Sequence, residues 1–216
     1  MTNDFEFMHH ITNVILDLGG VIAILHEDEV AERFELLGLE NNWWKNNGNY
    51  FISRINRGVM SSDDFCMEIK SHCSRYVSDT DIRSAYESML EVPRDTVLFV
   101  QHLPERYNTY LLSDISEIHW GAFKRLCLDH SVDVDTCFKK TYLSYKIGRT
   151  KPDPEVYQFV LSDADISPVE TIYFDDNINN VKAGIDAGIY SYKAMKNNPS
   201  SWMQFFELMN SDVHFF

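Results

Sequence analysis

Positive charge is scarce in this sequence: 19 Lys and Arg residues stand against 33 Asp and Glu, for a formal net charge of -14. Nucleic acid and anionic membrane surfaces both demand clustered positive charge, so this deficit argues against either as a partner. Cysteine is also sparse. Cys66, Cys73, Cys127 and Cys137 are spaced neither as a zinc pair nor as a disulfide frame. No apolar run is long enough to span a bilayer, and no signal peptide precedes the first one. These absences lead to the expectation of a reduced, cytoplasmic protein. There is no internal repeat and no low-complexity stretch.

Apolar material is plentiful. Of 216 residues, 44% are hydrophobic and 13% aromatic, enough for a packed core in one domain or in a domain carrying a smaller insertion. Short apolar runs at 11–18, 109–113, 141–144, 171–175 and 189–193 predict buried strands, separated by segments with helical patterning. Asp153-Pro154 reads as a cap followed by a first-turn proline, and Gly188 as a helix stop. Strands alternating with helices imply an α/β fold with a parallel sheet. Residues 27–91 interrupt the alternation directly after the first strand. They are charged, helical in pattern and carry Trp43, Trp44, Tyr50 and Phe51. Ser61 followed by Asp64 predicts a helix start within this segment.

In open α/β sheets, ligands bind beyond the carboxyl ends of the strands. Asp17-Leu18-Gly19-Gly20, Ser113-Asp114 and Asp175-Asp176 all fall at such ends, and Lys151 sits just before a helix. Alone, Asp17 reads as a turn residue, Ser113 as a helix cap and Lys151 as a solvated lysine. Asp175 and Asp176 are harder to explain locally. Adjacent carboxylates at the end of an apolar strand repel each other, and a hard cation with oxygen ligands would relieve that.

Taken together, the segments at 14–21, 110–113, 148–154 and 172–180 resemble the haloacid dehalogenase (HAD) superfamily, subfamily I with a helical cap. The run Asp17-Leu18-Gly19-Gly20-Val21-Ile22 is most similar to the group containing bacterial α-glucose-1-phosphate phosphatases. The resemblance implies a Rossmann-like catalytic core formed by residues 1–26 and 92–216, with an all-helical cap at 27–91. It also implies a Mg²⁺-dependent phosphatase acting on a small phosphorylated metabolite, in particular a sugar phosphate. Asp17 would attack phosphorus and form an aspartyl-phosphate. Mg²⁺ would be held by Asp17, the Gly19 carbonyl and Asp176, with Asp175 acting through water or from behind the direct ligands. Ser113, Lys151 and Asp114 would bind substrate, Lys151 as a point charge on phosphate and nucleophile. Asn180 is open to two readings, orienting the acidic residues or lying on a helix surface.

One position departs from the family pattern. Phosphatases of this superfamily usually carry a second Asp two residues after the nucleophile, to protonate the leaving group and then activate water. Here that residue is Gly19. Two alternatives follow: a catalytically weak phosphate-binding or regulatory protein, and a dehalogenase, which needs no metal and would leave Asp175-Asp176 unexplained. His26, Glu27 and Asp28 are candidates to replace the missing acid. Trp43, Trp44, Tyr50, Arg54 and Arg57 divide between lining a sugar pocket and filling or covering the core of the cap.

Overall fold

β1 (Asn13–Leu16) is the middle strand of a five-stranded sheet with all neighbours parallel. The computed structural model describes residues 10–211, with side chains to residue 206, so residues 1–9 and 212–216 of the expected core lie outside it. On one side of β1 are β4 (Asn108–Ser113) and β5 (Lys140–Leu143), and on the other β6 (Thr171–Asp175) and β7 (Tyr190–Lys193). Ile15 pairs with Tyr110 and Tyr173, and Leu16 with Leu111 and Phe174. This register brings Asp17, Ser113 and Asp175 to one edge of the sheet.

Side chains alternate across the pleat and both faces are covered, which is why the strands read as near-continuous apolar runs. Val14, Leu16, Leu111 and Phe174 pack with α5 (Arg94–His102), α6 (Glu117–Asp129) and α10 (Ser200–Ser211) through Val97, Phe123, Trp202 and Phe206. Ile15, Tyr110, Leu112 and Tyr173 face the other way, onto Val156, Tyr157 and Val160 of α8 (Pro154–Ala164). α9 (Ile178–Asp186) packs on β6 and β7. Among the described residues, no helix is long and apolar enough to cross a membrane.

The segment after β1 contains α1 (Glu27–Leu36), α2 (Trp43–Asn56), α3 (Ser62–Ser71) and α4 (Asp79–Glu87). Phe34, Trp44, Phe51, Phe65, Ile69 and Tyr86 give it a hydrophobic cluster of its own, joined by Ile118 of α6. Capping boxes start two of these helices, Ser61 with Asp64 on α3 and Ser78 with Asp81 on α4. Two-residue strands β2 (Ile24–Leu25) and β3 (Leu90–Glu91) pair antiparallel where the chain leaves the sheet and returns. A short α7 (Ser144–Ile147) follows β5.

Two details differ from the sequence reading. β1 is shorter than the apolar run, because Leu18 to Ala23 form a tight loop in which the Leu18 carbonyl accepts from the N–H groups of Val21, Ile22 and Ala23. The strand pair β2 and β3 is too short to leave a periodic signal.

Candidate active site

Asp17 follows β1 directly, and its Oδ1 accepts the N–H of Leu18 at 2.7 Å. Lys151, 7% exposed, reaches the same oxygen: Nζ lies 2.7 Å from Asp17 Oδ1, 2.8 Å from Asp175 Oδ2 and 3.1 Å from the Leu112 carbonyl. Far from being a solvated lysine, Lys151 is a buried ammonium bridging the ends of β1, β4 and β6. One oxygen from each of Asp17, Asp175 and Asp176 falls within 4.8 Å of the others.

The two adjacent aspartates have different surroundings. Asp175 is fully buried and saturated with donors. Besides Lys151, it receives Asn177 N–H at 2.7 Å, both oxygens receive Asn180 Nδ2 at 3.1 Å, and the Tyr173 hydroxyl bonds to Oδ2. The Tyr157 hydroxyl in turn donates to the Asn180 carbonyl at 2.9 Å, fixing that helix start. Asp176 is only half-buried, and no other described residue donates a hydrogen bond to its carboxylate. Gly20 adopts φ +76, and a Cβ there would lie 2.6 Å from Asp176 Oδ2. The Gly19 carbonyl likewise accepts no hydrogen bond among the described residues, although the flanking Leu18 and Gly20 carbonyls do.

Charge balance shapes the acidities. Burial pushes the Asp17 carboxyl well up, against the pull of Lys151. Burial also raises Asp175, but Lys151 and the hydrogen-bond donors outweigh it and hold that carboxyl below its ordinary range. Asp176 is pushed up by burial and by the charge of Asp175. Lys151 is penalised by burial, yet Asp17, Asp175 and Asp114 keep it firmly protonated. Asp17, Asp175 and Asp176, with Asp114 nearby, thus share one ammonium, an excess of carboxylates that a divalent cation would offset. The two free acceptors, Asp176 and the Gly19 carbonyl, are hard oxygens beside Asp17, so the donor set fits Mg²⁺.

Ser113 ends β4, buried, with no partner for its hydroxyl among the described residues. Asp114 Oδ1 accepts the Lys151 N–H at 3.1 Å, and burial pushes its carboxyl up. A cleft of about 370 Å³ opens between these strand ends and the helical segment, with Gly19, Ser113 and Asp114 on one side. On the other side α2 presents Lys45, Asn49, Ile52 and Asn56, spaced as one face of a helix, and α1 presents Asp28. α2 is docked onto the sheet edge: Asn56 Nδ2 donates to the Asp114 carbonyl at 3.2 Å, and Ser144 Oγ donates to the Asn56 carbonyl at 2.5 Å.

The other candidate residues separate. Trp44 is buried in the helical cluster and borders the cleft, while Trp43 stacks on His72 and Phe51 outside it. Tyr50 is exposed with Arg54 over its ring at 5.3 Å, and the Arg57 guanidinium pulls against the burial that raises the Asp114 carboxyl. His26 pairs with Glu91 across β2 and β3 at 2.7 Å and does not line the cleft. Tyr173 and Asn56 were not singled out in the sequence. The first is masked inside an apolar strand, and the second depends on a contact 58 residues away.

A parallel sheet with a helical insertion after its first strand, and with Asp, Ser, Lys and paired Asp gathered at one edge, defines the haloacid dehalogenase-like class of hydrolases. A family model described as haloacid dehalogenase-like hydrolase matches residues 11–188, and the chain belongs to that family. It is similar to the D-ribitol-5-phosphate phosphatase of Bacteroides thetaiotaomicron, at 28% identity over 200 residues covering 90% of this chain and 96% of that protein. A HAD family enzyme from the same organism, solved as a magnesium complex, superposes with a TM-score of 0.83 at 32% identity, covering 91% of this chain and 98% of that one. The wild-type form of that enzyme with magnesium and inorganic phosphate gives 0.79 at 30% identity, over 91% and 99% of the two chains.

Proposed function

We propose that this hydrolase is a Mg²⁺-dependent phosphatase that cleaves the phosphate ester of a small polyhydroxylated metabolite, a sugar or polyol phosphate, through an aspartyl-phosphate on Asp17. The observation that carries this reading is the unmatched negative charge of Asp17, Asp175 and Asp176 around the single ammonium of Lys151. The similarity to a ribitol phosphate phosphatase supports the substrate class.

In this reading Asp17, Asp176 and the Gly19 carbonyl hold Mg²⁺, and Asp175 steadies Lys151 rather than binding metal. The ion supplies charge neutralisation between the nucleophile and the phosphate. Asp17 provides the attacking carboxylate oxygen. Lys151 orients that oxygen and balances charge on the transferring phosphoryl group. The Ser113 hydroxyl donates to a phosphate oxygen, and Asp114 holds the Lys151 segment through its N–H. Residues 27–91 act as a cap over the core. Asn49 and Asn56 on the cleft face of α2 offer amides to the hydroxyls of the leaving group.

A phosphate-release screen over sugar, polyol and nucleotide phosphates, with and without Mg²⁺, tests the proposal. It expects turnover of sugar or polyol phosphates that disappears on chelation. Metal-independent turnover, or none across the panel, overturns it.

A further inference from the structure

We propose that Asp28 is the general acid and base of this enzyme, delivering from the helical segment the proton transfers that residue 19 cannot make. The inference rests on the phosphatase reading above.

Gly19 does more than lack a carboxylate. A Cβ built there would lie 3.0 Å from Leu25 Cδ1, so an apolar side chain fills the space into which a residue at this position would project. Leu25 is held firmly. Its N–H donates to Asn197 Oδ1 at 2.9 Å, its carbonyl accepts from Asn197 Nδ2 at 3.0 Å, and it pairs with Leu90 in the short β2–β3 ribbon. Leu25 thus stands against the usual location of the proton donor, and residue 19 itself carries no carboxyl, so the donor must come from elsewhere on the cleft wall.

Three carboxylates line the cleft: Glu27, Asp28 and Asp114. Glu27 Oε1 accepts from Lys196 Nζ at 2.9 Å. Asp114 accepts the Lys151 N–H. Asp28 makes no hydrogen bond or ion pair among the described residues and is exposed in the first turn of α1, three residues beyond the leucine that blocks Gly19. His119, Lys45 and Tyr86 on the wall are unsuitable, and burial holds the Tyr86 hydroxyl well above its ordinary range. His119 spends Nε2 on the Tyr86 carbonyl at 2.9 Å and packs against the Tyr86 ring. Lys45 lies three turns up α2 from Asn56, about 16 Å from the strand ends at the rise of a helix.

The chemistry balances. An Asp17 oxygen forms a bond to phosphorus as the bond from phosphorus to the leaving oxygen breaks, and that oxygen takes the proton from the Asp28 carboxyl. The resulting Asp28 carboxylate then removes a proton from water. The water oxygen bonds to phosphorus, the bond to Asp17 breaks, and Asp28 is again protonated as inorganic phosphate forms. Because Asp28 belongs to the helical segment, the acid would be in place only while that segment covers the core.

The test is Asp28→Asn in the full chain with Mg²⁺, followed through a single turnover on ribitol 5-phosphate and on p-nitrophenyl phosphate, with Glu27→Gln alongside. A positioned acid contributes a factor of about 10²–10⁴. The polyol ester should therefore slow by about 100-fold or more in Asp28→Asn. The first release of p-nitrophenol, which needs no protonation, should stay near the wild-type rate, and phosphoenzyme should accumulate for lack of a base. Glu27→Gln should preserve the wild-type ratio of the two esters. A wild-type rate on the polyol ester in Asp28→Asn, or equal slowing of both esters without trapped phosphoenzyme, overturns the proposal. Absence of turnover on either ester in the wild type would instead overturn the phosphatase reading, and this inference with it.

Discussion

Asn180 donates from one amide nitrogen to both carboxylate oxygens of Asp175, at 3.1 Å each. Asp175 is 0% exposed, so removing that donor leaves a buried charge short of a partner. Asn180→Ala should cost about 1–3 kcal/mol of unfolding free energy, measured by urea titration. It should also slow hydrolysis, since Asp175 is the carboxylate that steadies Lys151 beside Asp17. An unchanged urea midpoint would show that Lys151, Tyr173 and Asn177 suffice without it.

Asp17→Asn should abolish hydrolysis while leaving the fold intact. Asp17 is buried against Asp175, and burial already pushes its carboxyl toward the neutral form. A neutral amide removes the nucleophile and relieves that repulsion, while Lys151 keeps Asp175 as its partner. Thermal melts and phosphate release check the two halves. Mg²⁺-dependent turnover in this variant would remove Asp17 from the mechanism.

Gly20→Ala tests the neighbourhood of Asp176. The residue sits at φ +76, and its added methyl would meet Asp176 Oδ2 at 2.6 Å. The left-handed backbone costs about 1–2 kcal/mol for a residue with a Cβ. Beyond that modest loss of stability, displacement of Asp176 should weaken Mg²⁺ binding, seen as a rightward shift of the Mg²⁺ activation curve. A variant with lower stability but an unchanged curve would exclude Asp176 as a ligand.

His119 should give stability a specific acid limb. Burial lowers its pKa from 6.5 to about 4, so the unfolded chain takes up that proton at a higher pH than the folded protein does. Between the two values the unfolded state binds more protons, and stability falls as pH drops. The contribution approaches about 3 kcal/mol once both states are protonated. Unfolding free energies of the wild type and His119→Gln, compared from about pH 7 to about pH 4, should converge as pH falls. Parallel profiles would show that His119 does not carry this limb.

The sheet and the strand-end residues are legible in the sequence because both depend on short-range pattern. An apolar run that stops at a polar residue reports a buried strand and the edge where it ends, as for Asp17, Ser113 and Asp175. The partners of those residues are not legible in the same way. Lys151 reads as an ordinary surface lysine until the fold brings it to Asp17, 134 positions earlier in the chain. Tyr173 reads as core, and it is core, yet its hydroxyl also bonds to Asp175. Gly19 is visible as a missing carboxylate, but nothing local reveals that Leu25 fills the space. Strands of two residues, such as β2 and β3, carry no periodicity at all.

The joint between the sheet and the helices is written in two distant parts of the chain. Asn197, at φ +57, grips both backbone groups of Leu25, and its own N–H reaches the Gly20 carbonyl at 2.9 Å. A chimera that imports residues 26–91 from a relative, to change what the enzyme accepts, would therefore have to keep the backbone at position 25 in register with the recipient's 194–199 loop. A graft that shifts the main chain at 25, or a residue at 197 without a side-chain amide, would cut this connection, even though position 197 lies more than a hundred residues beyond the graft.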